Sequence, residues 1–139
     1  MSAVLQHPPV VNAVGAPWYE DLSPALLNEC LEIGISIVGC TACEIWDDSL
    51  EGIENFQQVK AVVRKHGRSY VLERRGDLQA KENAGKVGVV LGLQNPKPIS
   101  DSLHLLHAFA DMGLRCCGLG ALTGPSWFIR PITRAVPIS

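Results

Sequence analysis

The sequence predicts an α/β fold, and within that class a partial β/α (TIM-type) barrel of about five parallel strands and about four helices, with the barrel incomplete. Short apolar runs alternate with helix-like stretches along most of the chain, which is typical of strand, helix, strand repeats. The run Val87 to Leu93 is too uniformly apolar for a half-exposed strand, so we expect it to be buried on both faces. It ends in Gln94 and Asn95, at the end of a strand where parallel barrels place their chemistry.

The composition is that of one globular domain. Of the 139 residues, 47% are hydrophobic and 19% are charged, which provides for one core and hardly for two. The net charge is -2, and no basic cluster is longer than Arg74-Arg75. A polyanion-binding surface needs a concentration of positive charge, so we expect no nucleic-acid partner.

The sequence offers no membrane-spanning segment. No apolar run approaches the ~18 residues needed to cross a bilayer, and the start of the chain lacks the basic segment and apolar core of a signal peptide. We therefore expect a cytoplasmic location. The five cysteines are an odd number in a chain that can build an ordinary core, which indicates reduced thiols rather than a disulfide framework.

The first three elements follow from turn and cap residues. Val10 to Val14 is a short apolar run after a proline-rich lead and is expected to be a strand. Ser23 is a good N-cap, a proline follows at the first helical position, and Gly34 ends the pattern, so a helix is predicted from Pro24 to Ile33. The apolar run Ile35 to Thr41 is the second predicted strand.

A longer helix is predicted next. Asp47, Asp48 or Ser49 can cap its start, and Gly67 closes it. Its apolar residues recur at helical spacing and would form one buried stripe. They are Leu50, Ile53, Phe56, Val59, Val62 and Val63.

The second half of the chain continues the alternation. It is predicted to hold a short strand from Ser69 to Leu72, a small helix from Asp77 to Asn83 and the buried strand Val87 to Leu93. A last helix, capped by Ser100 or Asp101, ends at a glycine before a fifth strand. That strand is Leu114–Leu119. We accordingly divide the chain into a disordered lead (1–9), a partial barrel domain (10–119) and a divergent, irregular tail (120–139).

The segment from Gly85 to Leu119 resembles the membrane dipeptidase (renal dipeptidase) family. The resemblance rests on a strand that ends in Gly92-Leu93-Gln94-Asn95 and on the helix pattern Leu105-Leu106-x-x-Phe109-Ala110-x-Met112-Gly113, followed by Leu114-Arg115 and a strand. The helix from Glu54 to His66 and the aromatic Trp46 also fall where that family has counterparts. The resemblance extends from Val10 to Leu119.

The resemblance implies an eight-stranded barrel that hydrolyses dipeptides at a two-zinc site. In the family, a His and an Asp after the first strand bind metal, and a Glu bridges the two ions; the corresponding residues here are Val14, Ala16 and Gln94. Aliphatic side chains offer zinc no lone pair, and a neutral amide cannot replace a bridging carboxylate. The family's remaining histidine ligands would lie beyond Ser139. We therefore expect that the chain alone binds no zinc and is inactive, with Gln94 marking the metal position.

The resemblance also indicates where a dipeptide-like small molecule would bind. Asn12, Trp46 and Asn95 fall at the strand ends that would surround it, so we expect them to line a substrate pocket.

Two other functions stay open. An incomplete barrel leaves open sheet edges, through which a catalytically silent module could recruit another chain, including a second copy of itself. Alternatively, Cys40 and Cys43 have the spacing of a redox pair after a strand, which favours a thiol-exchange protein if their pKa is low. His104 and His107 share a helix face at a spacing that zinc sites use, but a solvated helix face is the better explanation of them.

Overall fold

Residues 9–13 and 17–118 form one parallel sheet covered by helices, as described by a computed structural model of the chain. The predicted α/β class and the open, incomplete barrel are confirmed: the sheet has five strands, all pairs between them are parallel, and it does not close on itself. The elements in chain order are β1 (Val10–Asn12), α1 (Pro24–Glu32), β2 (Ile35–Thr41), α2 (Ser49–His66), β3 (Ser69–Val71), β4 (Val87–Leu93), α3 (Leu103–Asp111) and β5 (Leu114–Cys117).

The helices begin and end where their caps dictate. The Ser23 hydroxyl accepts a hydrogen bond from the backbone N–H of Leu26 at the start of α1. Asp48 and Glu51 form a reciprocal capping box at the start of α2, which satisfies backbone donors that the helix leaves unpaired. Gly67 ends α2 in the left-handed conformation, with φ of 72°.

Strand β4 organises the sheet because it uses both of its edges. The backbone of Ala42, just after β2, donates to the Gly92 carbonyl. On the opposite edge, Leu72 donates to the Val89 carbonyl and Gly118 to the Leu93 carbonyl. Strands β3 and β5 therefore lie end to end along one edge of β4, while β2 lies along the other. The strand order β1-β2-β4-β5 follows the chain, and β3 is an additional strand outside that order.

Arg115 lies where β3 ends and β5 begins. The pairing of β5 with β4 shifts register between Leu91 and Gly92. The Arg115 guanidinium donates to the carbonyls of Glu73, Ala110 and Leu114. It therefore ties the chain after β3 to the end of α3 and to the start of β5.

One face of the sheet carries the core. The alternate side chains of β4 that point to this face are buried with the apolar faces of all three helices. Phe56 from α2 and Phe109 from α3 meet edge to face there, with ring centroids 5.3 Å apart. Such an aromatic pair contributes about 1 kcal/mol beyond the area that it buries. The buried β4 residues are Val87, Val89, Leu91 and Leu93.

Within residues 9–13 and 17–118, no helix covers the opposite face of the sheet, which we call the open face. It presents Val11, Ile37, Val90, Gly92 and Cys116 around a shallow cavity of about 160 Å³. On edge strand β1, Val10 and Val11 are more than half exposed. In a closed barrel this face would be the interior, which side chains fill.

Several predicted boundaries are wrong by one or a few residues. Helix α1 stops at Glu32, β1 at Asn12, β3 at Val71 and β5 at Cys117, and the cap of α3 is Ser102 rather than Ser100 or Asp101. Ser100 cannot cap this helix because it belongs to the short 3-10 turn that precedes α3 and has a positive φ of 53°.

The predicted small helix from Asp77 to Asn83 does not form as an α-helix. Two short 3-10 turns, Arg75–Leu78 and Lys81–Asn83, stand in its place, so the described chain has three α-helices rather than four. Asp77 accepts from the backbone N–H groups of Glu73 and Arg74. This bonding closes a tight local turn, and the segment has no buried residue in either turn that could stabilise a longer helix.

Parts of the predicted organisation lie outside the described residues. These are nearly all of the lead (1–8), Val14 and Ala16 after the first strand, Leu119, and the tail (120–139). Within residues 9–13 and 17–118, no helix is both long and apolar enough to cross a membrane.

The contact of α2 with α3 should be sensitive to one added methyl group. A Cβ at Gly52 would lie 2.9 Å from Phe109 Cζ and 3.0 Å from Cys43 Sγ. Although alanine is the better helix former by about 1 kcal/mol, we expect Gly52→Ala to lower the free energy of unfolding by about 1–3 kcal/mol, the usual cost of overpacking. Urea denaturation measures this.

Gly76→Ala is the matched control for this test. A Cβ at Gly76 has no neighbour within 4 Å and the residue has no positive φ, so the stability should stay nearly unchanged. Equal effects of the two substitutions would contradict the packing of α2 against α3 described above.

Candidate functional site

The carboxyl ends of the strands form one rim of the sheet, because all paired strands run in the same direction. We call this the carboxyl rim and define it by the strand ends Asn12, Thr41, Leu93 and Cys117 and by the loops that follow them. The rim is the end of a parallel α/β sheet at which ligands and catalytic groups normally lie.

The two predicted amides after β4 have different environments. Gln94 is exposed at the rim, whereas the side chain of Asn95 is only 2% exposed. The Asn95 amide oxygen accepts from the backbone N–H of Lys97 at 2.8 Å, a local turn that asparagine side chains commonly form. Gln94 is thus available to a ligand, while the Asn95 carbonyl is engaged by its own chain.

The loops after β2 and β4 are bonded to each other. The Lys97 ammonium group donates to the Trp46 carbonyl, and the Ser49 hydroxyl donates to the Pro98 carbonyl at 2.6 Å. These bonds hold the Trp46 loop beside the loop that begins at Gln94. The Trp46 ring itself is 64% exposed, so it is accessible at the rim.

Asn12 is the last residue of β1 and is half-buried, in register with Val38 of β2. The structure therefore places Asn12, Trp46 and Gln94 in three separate loops or strand ends on one rim. No hydrogen bond joins the side chains of any two of them within the described residues. The substrate pocket of Asn12, Trp46 and Asn95, and the metal position at Gln94, stay predictions.

A glycine holds the loops after β4 and β5 close together. A Cβ on Gly118 would overlap the backbone carbonyl of Gln94. The Gly118 N–H also donates to the Leu93 carbonyl at 2.9 Å. Any larger residue at Gly118 would therefore displace the segment that carries Gln94.

Acidic groups give one side of the rim a negative field. The Tyr19 hydroxyl donates to a Glu20 carboxylate oxygen at 3.1 Å. Burial first, then this hydrogen bond and the charges of Glu20, Asp47 and Glu44, raise the pKa of Tyr19 to about 12. The phenol is therefore a neutral hydrogen-bond donor at physiological pH rather than a general base.

Asp47 has a structural role that the sequence reasoning missed. One of its carboxylate oxygens accepts from the Glu44 N–H and from the Asn55 side-chain amide, each at 2.9 Å. Asn55 is only 5% exposed on α2. An asparagine within the apolar stripe of a helix was a usable signal, because a buried amide needs a partner.

The described residues do not fit a two-zinc centre. No group of three or more His, Cys, Asp or Glu side chains among them is placed to hold a metal ion. Gln94 is a neutral amide, and His104 and His107 are exposed on α3, away from the core. Zinc prefers imidazole, thiolate and carboxylate ligands, so the amide of Gln94 does not suit it, and the described carboxylates on the rim are not grouped to hold an ion.

The thiols at the end of β2 have the wrong acidity for redox chemistry. Cys40 is 2% exposed and Cys43 is 1% exposed. Burial raises the pKa of both thiols to about 12, and the charge of Asp47 adds to the effect at Cys43. Nucleophilic cysteines need a lowered pKa, so these two act as small buried hydrophobic side chains.

Comparisons with known proteins identify the fold. No protein-family model matches the sequence, and no curated protein matches it. Among solved structures, an amidohydrolase from Pseudomonas aeruginosa is similar, with a TM-score of 0.70 and 17% sequence identity over 80% of this chain. The match spans 33% of that amidohydrolase, so this chain corresponds to a minor part of it. At this identity the similarity shows a shared fold and nothing more, and the dipeptidase resemblance stays a prediction.

The raised thiol pKa values predict protection from alkylation. A thiol with a pKa of about 12 is about one part in a thousand thiolate at pH 9. We expect Cys40 and Cys43 in the folded protein to stay unmodified by iodoacetamide from pH 7 to 9, and to react once urea unfolds the chain. Peptide mass spectrometry after timed labelling distinguishes the sites.

The exposed Cys116 is the internal control, since it should react in the folded monomer. Labelling of Cys40 or Cys43 as fast as that of Cys116, with a midpoint below pH 8.5, would instead support the thiol-exchange hypothesis.

Proposed function

We propose that the protein is a β/α scaffold of the membrane-dipeptidase kind that does not hydrolyse dipeptides by itself. The amidohydrolase-like fold supports the scaffold. The single observation that carries the functional part is the exposed Gln94 directly after β4, at the position where the resemblance implies a metal-bridging carboxylate.

The chemistry of the ligands supports the absence of hydrolysis. Amide hydrolysis by a two-metal centre needs anionic or imidazole ligands that hold the ions and lower the pKa of bound water. By the resemblance, Val14 and Ala16 occupy the positions of a His and an Asp, and Gln94 replaces the Glu. One amide oxygen cannot balance the charge of two dications, so the chain's own residues supply no water-activating site at this position.

A dipeptidase assay tests the proposal. The purified protein, supplemented with Zn²⁺, should release no amino acid from a panel of dipeptides above the rate without protein. Gln94→Ala should not change this result, because no metal depends on the amide. Zinc binding is measured in parallel by isothermal titration calorimetry.

Gln57→Ala, an exposed glutamine on α2, is the matched control. Turnover by the wild type that Gln94→Ala abolishes and Gln57→Ala retains would overturn the proposal and establish a hydrolase.

A second candidate function is supported by the open face of the sheet: assembly with another copy of this chain. Strands β1, β2, β4 and β5 are four neighbouring parallel strands of one sheet. Eight such strands close a β/α barrel. Two copies related by a two-fold axis along the strand direction would place β5 of each copy beside β1 of the other. Both seams would then be parallel and identical, as a closed two-fold assembly requires.

The exposed side chains agree with this arrangement. Val11 is 53% exposed on edge strand β1 and belongs to the open face with Ile37 and Val90. In the assembly these residues would become interior, and the free backbone groups of β1 would gain partners. An open edge with apolar side chains otherwise invites uncontrolled pairing.

Light scattering coupled to size-exclusion chromatography tests the assembly. The wild type should elute with twice the 15.0 kDa mass of one chain. Val11→Lys should shift it to the monomer, because the seam would bury an unpaired charge.

Leu103→Lys is the control, since Leu103 is 70% exposed on α3, on the helix-covered side. This variant should keep the mass of the wild type. A monomeric wild type at ~100 μM, a concentration above the Kd of ordinary stable dimers, would exclude the assembly.

A further inference from the structure

A second cavity lies at the opposite end of the sheet from the carboxyl rim. It has a volume of about 300 Å³ and lies at the amino ends of β2, β3 and β4. We call it the amino-end cavity and define it by the three segments that contribute most of its walls, residues 34–37, 68–70 and 78–86. Its volume is at the lower end of the range for small-molecule sites.

The charged side chains that line the amino-end cavity are all positive. Arg68, Lys81 and Lys86 contribute to its walls, and no aspartate or glutamate is among its described lining residues. Within residues 9–13 and 17–118, none of the three takes part in an ion pair; the ion pairs there are Lys60–Glu73 and Arg74–Asp77. Glu82 and Asp77 are near this wall in the sequence but are not among its lining residues, so an anion in the cavity would face the three cations directly.

The positive charge of Arg68 affects a neighbouring histidine. Burial and, after it, the charge of Arg68 lower the pKa of His66. The His66 ring lies between the Ser69 hydroxyl and the Asn28 side-chain oxygen, at 3.0 Å from each. His66 is not among the residues that line the cavity, so the positive charge of the cavity wall does not depend on it.

A phenol adds a neutral donor to the same wall. The Tyr70 ring lies against Gly88, where a Cβ would be only 3.0 Å from the Tyr70 hydroxyl oxygen. The hydroxyl makes no hydrogen bond to any described residue. Burial and, after it, the charge of Asp77 raise the pKa of Tyr70, which keeps the phenol protonated and able to donate.

One wall opposes an anion, but only weakly. The carboxyl end of α1 reaches the cavity through Leu31 and Gly34. The end of a helix carries a partial charge of about -0.5, against three full positive charges. The lining residues of the cavity therefore carry a net positive charge.

We propose that the amino-end cavity binds a small molecule with at least two negative charges on phosphate or carboxylate groups. The guanidinium of Arg68 provides a planar pair of donors that matches either group, and Lys81 and Lys86 act as point charges beside it. The Tyr70 hydroxyl donates to an oxygen of the same ligand. The site is independent of the carboxyl rim and of the hydrolase question, because it lies at the other end of the strands.

Isothermal titration calorimetry with two probes tests the site. Inorganic pyrophosphate and citrate are titrated separately into the full chain at low salt. We expect saturable one-to-one binding of at least one probe. Arg68→Gln/Lys86→Gln should weaken it by about tenfold or more, because each lost charge-assisted hydrogen bond weakens binding several-fold. Tighter binding of pyrophosphate assigns the site to phosphates, and tighter binding of citrate assigns it to carboxylates.

Arg64→Gln/Lys65→Gln is the matched control, because it removes the same net charge from exposed positions on α2 that do not line the cavity. It should bind the probe as the wild type does. The exposed Lys81→Gln, which should not affect folding, provides a third variant with an expected loss of several-fold. No binding of either probe at ~10 mM, the upper limit of weak specific affinity, or equal losses in the control and cavity variants, would overturn the proposal.

Discussion

The hydrogen bonding of β4 on both edges is the constraint on which the rest of the structure depends. Its backbone pairs with β2 on one side and with β3 and then β5 on the other. A central strand of this kind can be sealed from water only if one face carries apolar side chains that helices cover. The four buried β4 side chains meet this condition, at about 1.5–3 kcal/mol of transfer free energy each. The helices follow as a single covering layer.

The other face of the same strand has small or half-buried residues, and it is there that the molecule exposes its unusual surfaces. Near the amino end, Gly88 has no side chain, which leaves room for the Tyr70 ring. Near the carboxyl end, Gly92 contributes no side chain to the open apolar face. One strand therefore borders a positively charged cavity, an apolar surface and the exposed amide Gln94. These three features follow one another along β4, from its amino end to its carboxyl end.

Local sequence signals made most of the helix and strand positions predictable. The pairing of strands, which depends on residues far apart in the sequence, was not predictable. Ser23 and Gly67 mark helix ends through bonds within a few residues, so the sequence indicates them directly. The order in which strands pair is not local: nothing in the sequence of β3 says that it shares an edge of β4 with β5. At the rim, the position of Gln94 was predictable from the end of β4, but the burial of Asn95 depends on a turn formed after it. The bond from Lys97 to the Trp46 loop joins residues 51 positions apart, beyond any sequence pattern.

The placement of β3 outside the order β1-β2-β4-β5 has a consequence for how such a chain can vary. The alternation of strands and helices continues from α2 to β4. Residues 69–86, which include β3 and two 3-10 turns, are an insertion between these two elements. Loss or lengthening of this insertion would leave every other strand paired with its neighbour. The hydrogen bond from Arg115 to the Glu73 carbonyl would be lost or changed. Substitution of the whole segment in evolution would therefore leave the rest of the sheet intact. It would replace Lys81 and Lys86, two of the three cations that line the amino-end cavity.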